Sequence, residues 1–240
     1  MNSKNCLLLS HVWIDDNQKY KRDIIDLCVR HFLRNNENLY IILTGHGVSP
    51  YDETLSLCDY VDWRPEIVNG EIGKGHPKLV ESGLLHAKGL GFERVLKQRA
   101  DGIITHSNAH NFYDKMLTTN KMVAAGLQGP DTIGDLLMYG DLDVFLDGWC
   151  PQRWNNHLDG VKNFTKFISQ ENRELVIQRS AAEMGWVYLD PHWEEICSQG
   201  MQDDIIDNKF EPHRFYWGVA YSERAQAFRG IGNNGGLNDR

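Results

Sequence analysis

The pattern with the clearest chemical meaning in this 240-residue sequence is a set of three charged residues at alternate positions, Lys97, Arg99 and Asp101. They lie in the segment FERVLKQRADGIITH, which reads as a strand over Arg94–Asp101. Because side chains alternate between the two faces of a strand, the three would share one face near its end. Charges that leave water are costly unless they have partners. The segment is therefore either an internal ion-pair cluster, or a site where the two cations meet a diphosphate and Asp101 holds a divalent metal or a ribose hydroxyl.

The elements before this segment predict an α/β fold. Apolar runs bounded by turn residues predict three further strands, and helical spacing predicts an amphipathic helix after the first of them. The strands cover Cys6–Ile14, Leu39–Leu43 and Asp59–Trp63, and the helix covers Lys19–Leu33. Strands that alternate with helices in this way favour a mainly parallel central sheet flanked by helices.

A parallel sheet also indicates where a ligand is expected. In such sheets the ligand binds outside the carboxyl ends of the strands. The residues at those ends are Ser10, His11, Thr44, Gly45, His46, Asp62 and Asp101. We therefore expect them to lie together at one edge of the sheet.

The rest of the chain is predicted to contain more helix than strand. Pro77 is well placed in the first turn of a helix that precedes the charged strand. The later predicted elements are a helix over Asn111–Leu127, a short strand within Asp135–Asp141, two helical stretches over Asp159–Met184 and a strand over Trp186–Leu189. Residues 231–240 are expected to be a disordered tail, which leaves a single domain over residues 1–230.

The charge of the chain limits its partners. Lysine and arginine number 25 and aspartate and glutamate number 33, which gives a net charge of −8. Residues 1–120 carry 14 basic and 15 acidic residues, net −1, whereas residues 121–240 carry 11 and 18, net −7. Because the sequence has no run rich in lysine and arginine, nucleic acid and an anionic membrane surface are poor candidates for the main partner.

The sequence also carries no pattern of a membrane or secreted protein. No apolar run approaches the roughly 20 residues of a transmembrane helix, and Met1–Asn5 lack the pattern of a signal peptide. Five cysteines without C-x-x-C spacing favour reduced thiols over a disulfide framework or a zinc site. We therefore expect a cytoplasmic location.

Several segments follow one another along the chain in an order and spacing that are more specific than any one of them alone. The first is the helix end Lys88-Gly89-Leu90-Gly91-Phe92 followed by Lys97-x-Arg99-x-Asp101. The second is IGDLLMYGD at Ile133–Asp141, and the third is Gln170-Glu171 at the start of a helix. Together, over residues 6–190, these segments resemble the GT-A-fold glycosyltransferases that use nucleotide-sugar donors. They are most similar to the surface-polysaccharide and large-virus capsid glycosyltransferases.

The resemblance implies transfer of a hexosyl or deoxyhexosyl group from a nucleotide-diphosphate sugar to a glycan or glycoconjugate acceptor in polysaccharide biosynthesis, with Mn²⁺ or Mg²⁺ on the diphosphate. It divides the domain into a Rossmann-like nucleotide-sugar-binding half, residues 1–106, and a smaller acceptor-side half, residues 107–230. The donor-binding residues carried over are Ser10, His11, Thr44, Asp62, Lys97, Arg99 and Asp101. In place of the usual Asp-x-Asp this chain has Arg99-Ala100-Asp101. Lys97 and Arg99 could therefore neutralise part of the diphosphate charge that the metal would otherwise neutralise.

Two further residues are expected to take part in the reaction. Sugar transfer builds negative charge on the leaving diphosphate, which cations stabilise, and an inverting enzyme needs a base for the acceptor hydroxyl. The resemblance puts Asp135 on the acceptor side, which makes it the candidate catalytic base. GT-A enzymes often supply a late histidine to the metal, which makes His213 a candidate ligand together with Asp101.

Two alternative functions stay open. A metal-dependent hydrolase would use His106, His110, Asp101 and His213, since histidines four apart on a helix can hold one metal. No glutamate lies between His106 and His110, and Ser107 reads as a helix N-cap that would leave His106 outside the helix. A non-catalytic nucleotide-sugar-binding domain would account for the single carboxylate of the charged strand.

Overall fold

The computed structural model describes residues 5–10, 14–65, 75–117, 121–129, 132–148, 176–180 and 182–215. Its strands are β1 (Asn5–Ser10), β2 (Tyr40–His46), β3 (Tyr60–Arg64), β4 (Arg94–Arg99), β5 (Gly102–Ile104), β6 (Met122–Gly129), β7 (Thr132–Asp141), β8 (Val176–Arg179) and β9 (Trp186–Tyr188). Its helices are α1 (Lys21–Asn35), α2 (Asp52–Ser56), α3 (Gly75–Gly89), α4 (Ala109–Met116) and α5 (Leu142–Gly148), followed by Trp193–Ile196 and Gln199–Ile206. Turns of 3-10 helix lie at Asp16–Gln18, Asp190–His192 and Pro212–Phe215.

Seven of the described strands form one sheet in the order β3-β2-β1-β4-β7-β6-β8. The pairs β3–β2, β2–β1, β1–β4 and β6–β8 are parallel, whereas β7 is antiparallel to both of its neighbours. Strands β5 and β9 form a separate antiparallel pair. The predicted α/β fold, a mainly parallel central sheet flanked by helices, is therefore confirmed.

Helices cover both faces of the parallel part of this sheet. Leu7 of β1 packs in a core cluster with Ile25 of α1 on one face. Leu8 packs with Val80 of α3 on the other face. A strand that is covered on both sides reads as a continuous apolar run, which explains why Cys6–Leu9 contains no polar residue.

Three strand ends differ from the prediction, and they bear on the site. β1 ends at Ser10 and not at Ile14, while β2 continues through Thr44 to His46. β4 ends at Arg99, so that Asp101 lies in the turn that leads into β5.

The helix predicted over Asn111–Leu127 is wrong in its second half. α4 ends at Met116, and β6 begins at Met122. Alanine, leucine and methionine favour helices, but Val123 packs on one face of the sheet and Ala124 on the other. Pairing with β7 and β8 therefore overrides the local propensity.

The helical stretch predicted over Asp159–Met184 is also wrong where the structure can be compared, because β8 occupies Val176–Arg179. This strand pairs with β6 at the edge of the sheet, a contact that no local pattern encodes. Residues 149–175 and 216–240 lie outside the described residues, and with them the predicted Gln170-Glu171 helix start and the tail. The domain limits stay a prediction.

Within the described part of the chain, no helix is both long enough and apolar enough to cross a membrane.

The close contact between α3 and the sheet predicts an effect on stability. A Cβ at Gly83 would lie 2.7 Å from Leu8 Cδ1 and 3.1 Å from Ile42 Cγ2, whereas a Cβ at Gly89 would meet no atom within 4 Å. We expect Gly83→Val to lower the free energy of unfolding by about 1–3 kcal/mol through overpacking. Gly89→Val, the matched control in the same helix, should change it by no more than about 0.5 kcal/mol. Urea unfolding measures both, and equal losses would contradict this packing.

His46 predicts a pH dependence of stability. This residue is the last of β2, and it is 3% exposed. Burial, and secondarily the charge of Arg64, lower its pKa from 6.5 to about 4. Between these two values the unfolded chain binds the proton and the folded chain does not, so the contribution of His46 is complete above about pH 6.5 and is lost as the pH falls toward 4.

The measurement is urea unfolding of the wild type and of His46→Gln from pH 7 to pH 4.5. As the pH falls, the free energy of unfolding should decrease more for the wild type than for His46→Gln. The difference between the two decreases should be on the order of 3 kcal/mol at most. Other buried histidines, such as His31, titrate in both proteins and cancel in the comparison. Parallel curves for the two proteins would refute the assignment.

Candidate functional site

Four polar residues lie in one row across the carboxyl ends of the parallel strands. Asp62 of β3 pairs with Thr44 of β2, Thr44 pairs with Ser10 of β1, and Ser10 pairs with Arg99 of β4. Residues in register on neighbouring strands project to the same face. The structure thus brings together four of the predicted donor-binding residues. The strand ends in the sequence had assigned Ser10, Thr44 and Asp62 to one edge but had not included Arg99.

The row crosses the point where the strand order reverses. The chain leaves β1 through α1 on one face to reach β2, whereas it leaves β3 through α3 on the opposite face to reach β4. β1 and β4 therefore flank the crevice in which ligands of open α/β sheets bind. Ser10 and Arg99 stand on its two sides.

Two hydroxyls form the middle of the row, and both residues are fully buried. Ser10 Oγ donates to the carbonyl oxygen of Gln98 at 3.3 Å. Thr44 Oγ1 has no hydrogen-bond partner among the described residues. A buried hydroxyl without a partner costs about 1–3 kcal/mol, which is a reason to expect a ligand or a water molecule at Thr44.

Asp62 ends the row as an oriented carboxylate. Arg64 Nε and Nη2 donate to its two oxygens at 2.9 and 2.8 Å, and Ser82 Oγ of α3 donates at 2.7 Å. The hydrogen bonds from Arg64 hold the pKa of Asp62 below its ordinary value. Asp62 is therefore ionised near neutral pH and presents an acceptor of fixed direction.

At the other end of the row, Arg99 is fixed by two side chains. Its Nε and Nη2 donate to the two oxygens of Asp101 at 3.0 and 2.5 Å. Nη2 also donates to Tyr188 Oη at 3.2 Å, and the guanidinium carbon lies 5.3 Å from the centre of the Tyr188 ring. The Asp101 side chain is fully buried, whereas 29% of the Arg99 side chain is exposed.

Lys97 lies deeper than the sequence suggested. It occupies the middle of β4, in register with Leu8 of β1 and Met138 of β7, and it is fully buried. Because side chains alternate along a strand, Lys97 projects to the same face as Arg99 and lies two residues further from the carboxyl end of β4. Its predicted contact with the diphosphate stays a prediction.

Two elements that are distant in the sequence contribute residues that no sequence pattern had indicated. Tyr188 lies on β9, and Asp190 follows it in a 3-10 turn. Tyr20 Oη donates to Asp190 at 2.9 Å, and Lys21 Nζ lies 3.8 Å from the same carboxylate. Burial, and next the hydrogen bond to Asp190, raise the pKa of Tyr20 to about 12. The strand predicted near residue 186 was the one available signal, but nothing in it identifies β5 as its partner.

Three predicted site residues fall wholly or partly outside the description. His11 lies outside the described residues, and so do the side chains of Asp135 and His213. The backbone of Asp135 lies on β7, two residues before Leu137, which pairs with Gln98. Because β7 is antiparallel to β4, Asp135 lies at the same edge as the end of β4. The roles predicted for these three residues stay predictions.

The two histidines of the hydrolase alternative are not on one helix. α4 begins at Ala109 after Asn108, whose φ of 52° is left-handed, so His106 precedes the helix. The ring of His106 stacks on the ring of Phe112, with 3.8 Å between the ring centroids. Burial lowers the pKa of both His106 and His110. Among the described residues no three histidine, cysteine or acidic side chains are grouped so that they could hold a metal.

The described residues also do not fit the Mn²⁺ or Mg²⁺ expected at Asp101. These ions need accessible carboxylate oxygens. Both oxygens of Asp101 already accept hydrogen bonds from Arg99, and its side chain has no exposed surface. The side chain of His213, the second predicted ligand, lies outside the described residues.

No protein-family model and no curated protein sequence matches this chain. Among solved structures, a 4-diphosphocytidyl-2C-methyl-D-erythritol synthase from Anaerococcus prevotii matches 86% of this chain and 95% of its own, with 11% identity and a TM-score of 0.50. A protein from Desulfovibrio desulfuricans described as a nucleotide-diphospho-sugar transferase matches 74% and 80%, with 12% identity and a TM-score of 0.48. The glycosyltransferase GlyE from Streptococcus pneumoniae matches 74% of this chain and 45% of its own, with 13% identity and a TM-score of 0.45.

At these identities the comparison bears on the fold alone. The match to the synthase extends over most of both chains. At the level of the fold, the resemblance found in the sequence is confirmed: the chain has a GT-A-like α/β fold.

Proposed function

We propose that this protein is a glycosyltransferase that binds a nucleotide-diphosphate sugar at the carboxyl edge of β1–β4 and transfers the sugar to a glycan or glycoconjugate acceptor. The observation that carries the proposal is the row formed by Asp62, Thr44, Ser10 and Arg99 at the switch point of the sheet. The row combines an acceptor, two hydroxyls and a cation. These are the groups that a nucleoside linked to a diphosphate requires.

The nucleoside is assigned to the end of the row at Asp62 and Thr44. An ionised carboxylate that is held by Arg64 and Ser82 is a suitable acceptor for a ribose hydroxyl. The unpartnered hydroxyl of Thr44 gives a ligand a buried polar contact that the described residues do not supply.

The diphosphate is assigned to Arg99. Cleavage of the sugar–phosphate bond leaves negative charge on phosphate oxygens, and a fixed guanidinium at that position stabilises the charge as it develops. Lys97 adds a second cation on the same face, deeper in the sheet.

The acceptor is assigned to the side of Asp135. Its backbone lies at the same edge as Arg99, where its carboxylate would take the proton of the acceptor hydroxyl. The acceptor-side half of the chain carries most of the net negative charge, and carboxylates suit the hydroxyls of a neutral glycan. A role in polysaccharide biosynthesis and a cytoplasmic location remain expectations from the sequence.

Donor binding tests the proposal directly. Isothermal titration calorimetry with UDP-, GDP- and dTDP-sugars should find one class of donor that binds the wild type. Arg99→Ala should weaken that donor roughly 10- to 100-fold, the value of a charge-assisted hydrogen bond. Arg30→Ala is the matched control, because Arg30 also pairs with an aspartate, Asp26, but lies on the exposed face of α1. If no nucleotide sugar binds, or if both variants lose affinity equally, the proposal is wrong.

Asp135→Asn separates chemistry from binding. We expect the variant to keep the donor affinity of the wild type and to lose about 10²- to 10⁴-fold in turnover, because the amide cannot take a proton. The assay measures sugar transfer and donor hydrolysis for a panel of glycan acceptors. A wild type that binds donor but shows neither transfer nor hydrolysis would favour the non-catalytic binding domain.

A further inference from the structure

We infer that Arg99 occupies the position at which a GT-A-like enzyme is expected to hold its divalent ion, so that this protein binds its donor diphosphate without Mn²⁺ or Mg²⁺. The inference rests on the proposed function, and it identifies the cation that binds the donor diphosphate. Three features of the Arg99 side chain carry it: its hydrogen bonds to Asp101, its exposure and its support by Tyr188.

The first feature is the hydrogen bonding of the one carboxylate in Arg99-Ala100-Asp101. Both oxygens of Asp101 accept from Arg99, one from Nε at 3.0 Å and the other from Nη2 at 2.5 Å. This is the bidentate geometry in which a guanidinium binds a carboxylate most strongly. A metal ion at Asp101 would have to displace the guanidinium or lie beside it, and like charges at that distance repel.

The second feature is the difference in exposure within the pair. The Asp101 side chain is 0% exposed, whereas the Arg99 side chain is 29% exposed. A diphosphate that enters the crevice between β1 and β4 therefore meets the guanidinium and not the carboxylate. Asp101 lies behind Arg99 and acts through it, as a positioning residue.

The third feature fixes the direction of the guanidinium. Tyr188 Oη accepts a hydrogen bond from Arg99 Nη2 at 3.2 Å, and the Tyr188 ring lies 5.3 Å from the guanidinium carbon. Burial, and next the charge of Asp101, raise the pKa of Tyr188, so it remains a neutral phenol. Arg99 is thus anchored to the turn after β4 and to β9, and little conformational freedom is left to lose when a diphosphate binds.

The arrangement predicts that the affinity for the donor is insensitive to divalent ions. The probes are UDP, GDP and dTDP, titrated calorimetrically into the full chain in buffer with EDTA and again with excess Mn²⁺ or Mg²⁺. For the nucleotide that binds, we expect the two dissociation constants to agree within about threefold. Arg99→Lys keeps the charge but loses the planar fork, and it should weaken binding at least about tenfold with and without the ions.

Asp101→Asn distinguishes the two roles of the carboxylate. If Asp101 positions Arg99, the variant should weaken the nucleotide by the same factor in EDTA and in Mn²⁺. If Asp101 is a metal ligand, the loss should appear only when Mn²⁺ is present. Should Asp101→Asn fail to fold, Tyr188→Phe tests the positioning of Arg99, because it keeps the ring and removes one hydrogen-bond acceptor. Equal weakening in EDTA and in Mn²⁺ supports the positioning of Arg99, and unchanged affinity contradicts it.

Each outcome is decisive. A dissociation constant that improves more than about tenfold with Mn²⁺ or Mg²⁺ in the wild type, and not in Asp101→Asn, would overturn this inference and leave the proposed function standing. Absence of binding for every nucleotide and every nucleotide sugar, with and without the ions, would overturn the proposed function together with the inference. Equal affinity in both buffers, lost in Arg99→Lys and retained in Arg30→Lys, supports both.

Discussion

The hydrogen-bond register of β1 with its two parallel neighbours is the constraint on which the rest of this structure depends. Ser10 is opposite Thr44 on one side and opposite Arg99 on the other. The same register directs Leu7 and Leu9 toward α1 and Leu8 toward α3. A slip of one residue would turn every side chain of β1 to the other face, so the core and the polar row form together or not at all.

The turn after β4 extends this constraint to the second sheet. Ala100 N donates to the carbonyl oxygen of Ser10 at 3.0 Å, and Leu189 N donates to the carbonyl oxygen of Asp101 at 3.0 Å. Gln98 Nε2 donates a hydrogen bond of 2.6 Å to the carbonyl oxygen of Gly102, which closes the turn. The backbone around Arg99 is therefore tied to β1 and to the strand that carries Tyr188. The buried carboxylate of Asp101 needs a cation, and Arg99 at the end of β4 supplies one two residues away.

The sequence allowed the first half of the fold to be predicted, because its strands are buried on both faces and its helices have an apolar side. It also assigned Ser10, Thr44 and Asp62 to one edge together with Asp101, whereas Arg99 entered the predicted site through the charged strand and the resemblance. Neither source placed these residues in one row. The row depends on hydrogen-bond register, and parallel strands joined by long crossovers carry no local signal of register. The same reason explains β6, whose alanine, leucine and methionine favour a helix, and β8, a strand of four residues at the edge of the sheet. Both take their structure from pairing with strands elsewhere in the chain.

The Arg99–Tyr188 contact was beyond prediction for a further reason, since it joins residues 89 positions apart through the pairing of two three-residue strands. The alternation of Lys97, Arg99 and Asp101 did raise two interpretations, an internal ion pair and a phosphate site. The structure shows that Arg99 and Asp101 form the ion pair, and the exposed part of Arg99 still leaves room for an anion. The two interpretations are thus compatible, because a guanidinium can be oriented by a carboxylate on one side and present its remaining surface to a ligand.

This pairing also explains how a chain of net charge −8 could hold a diphosphate. The two described arginines at the edge, Arg64 and Arg99, each lie against a carboxylate, so the pairs are close to neutral at a distance. Beyond a Debye length of about 8 Å such pairs exert little attraction, and a long polyanion gains nothing along the surface. Within hydrogen-bond distance the exposed guanidinium edge still interacts strongly with phosphate oxygens. A compact anion with its charge concentrated on one diphosphate, the ligand proposed above, therefore suits these electrostatics better than a long polyanion does.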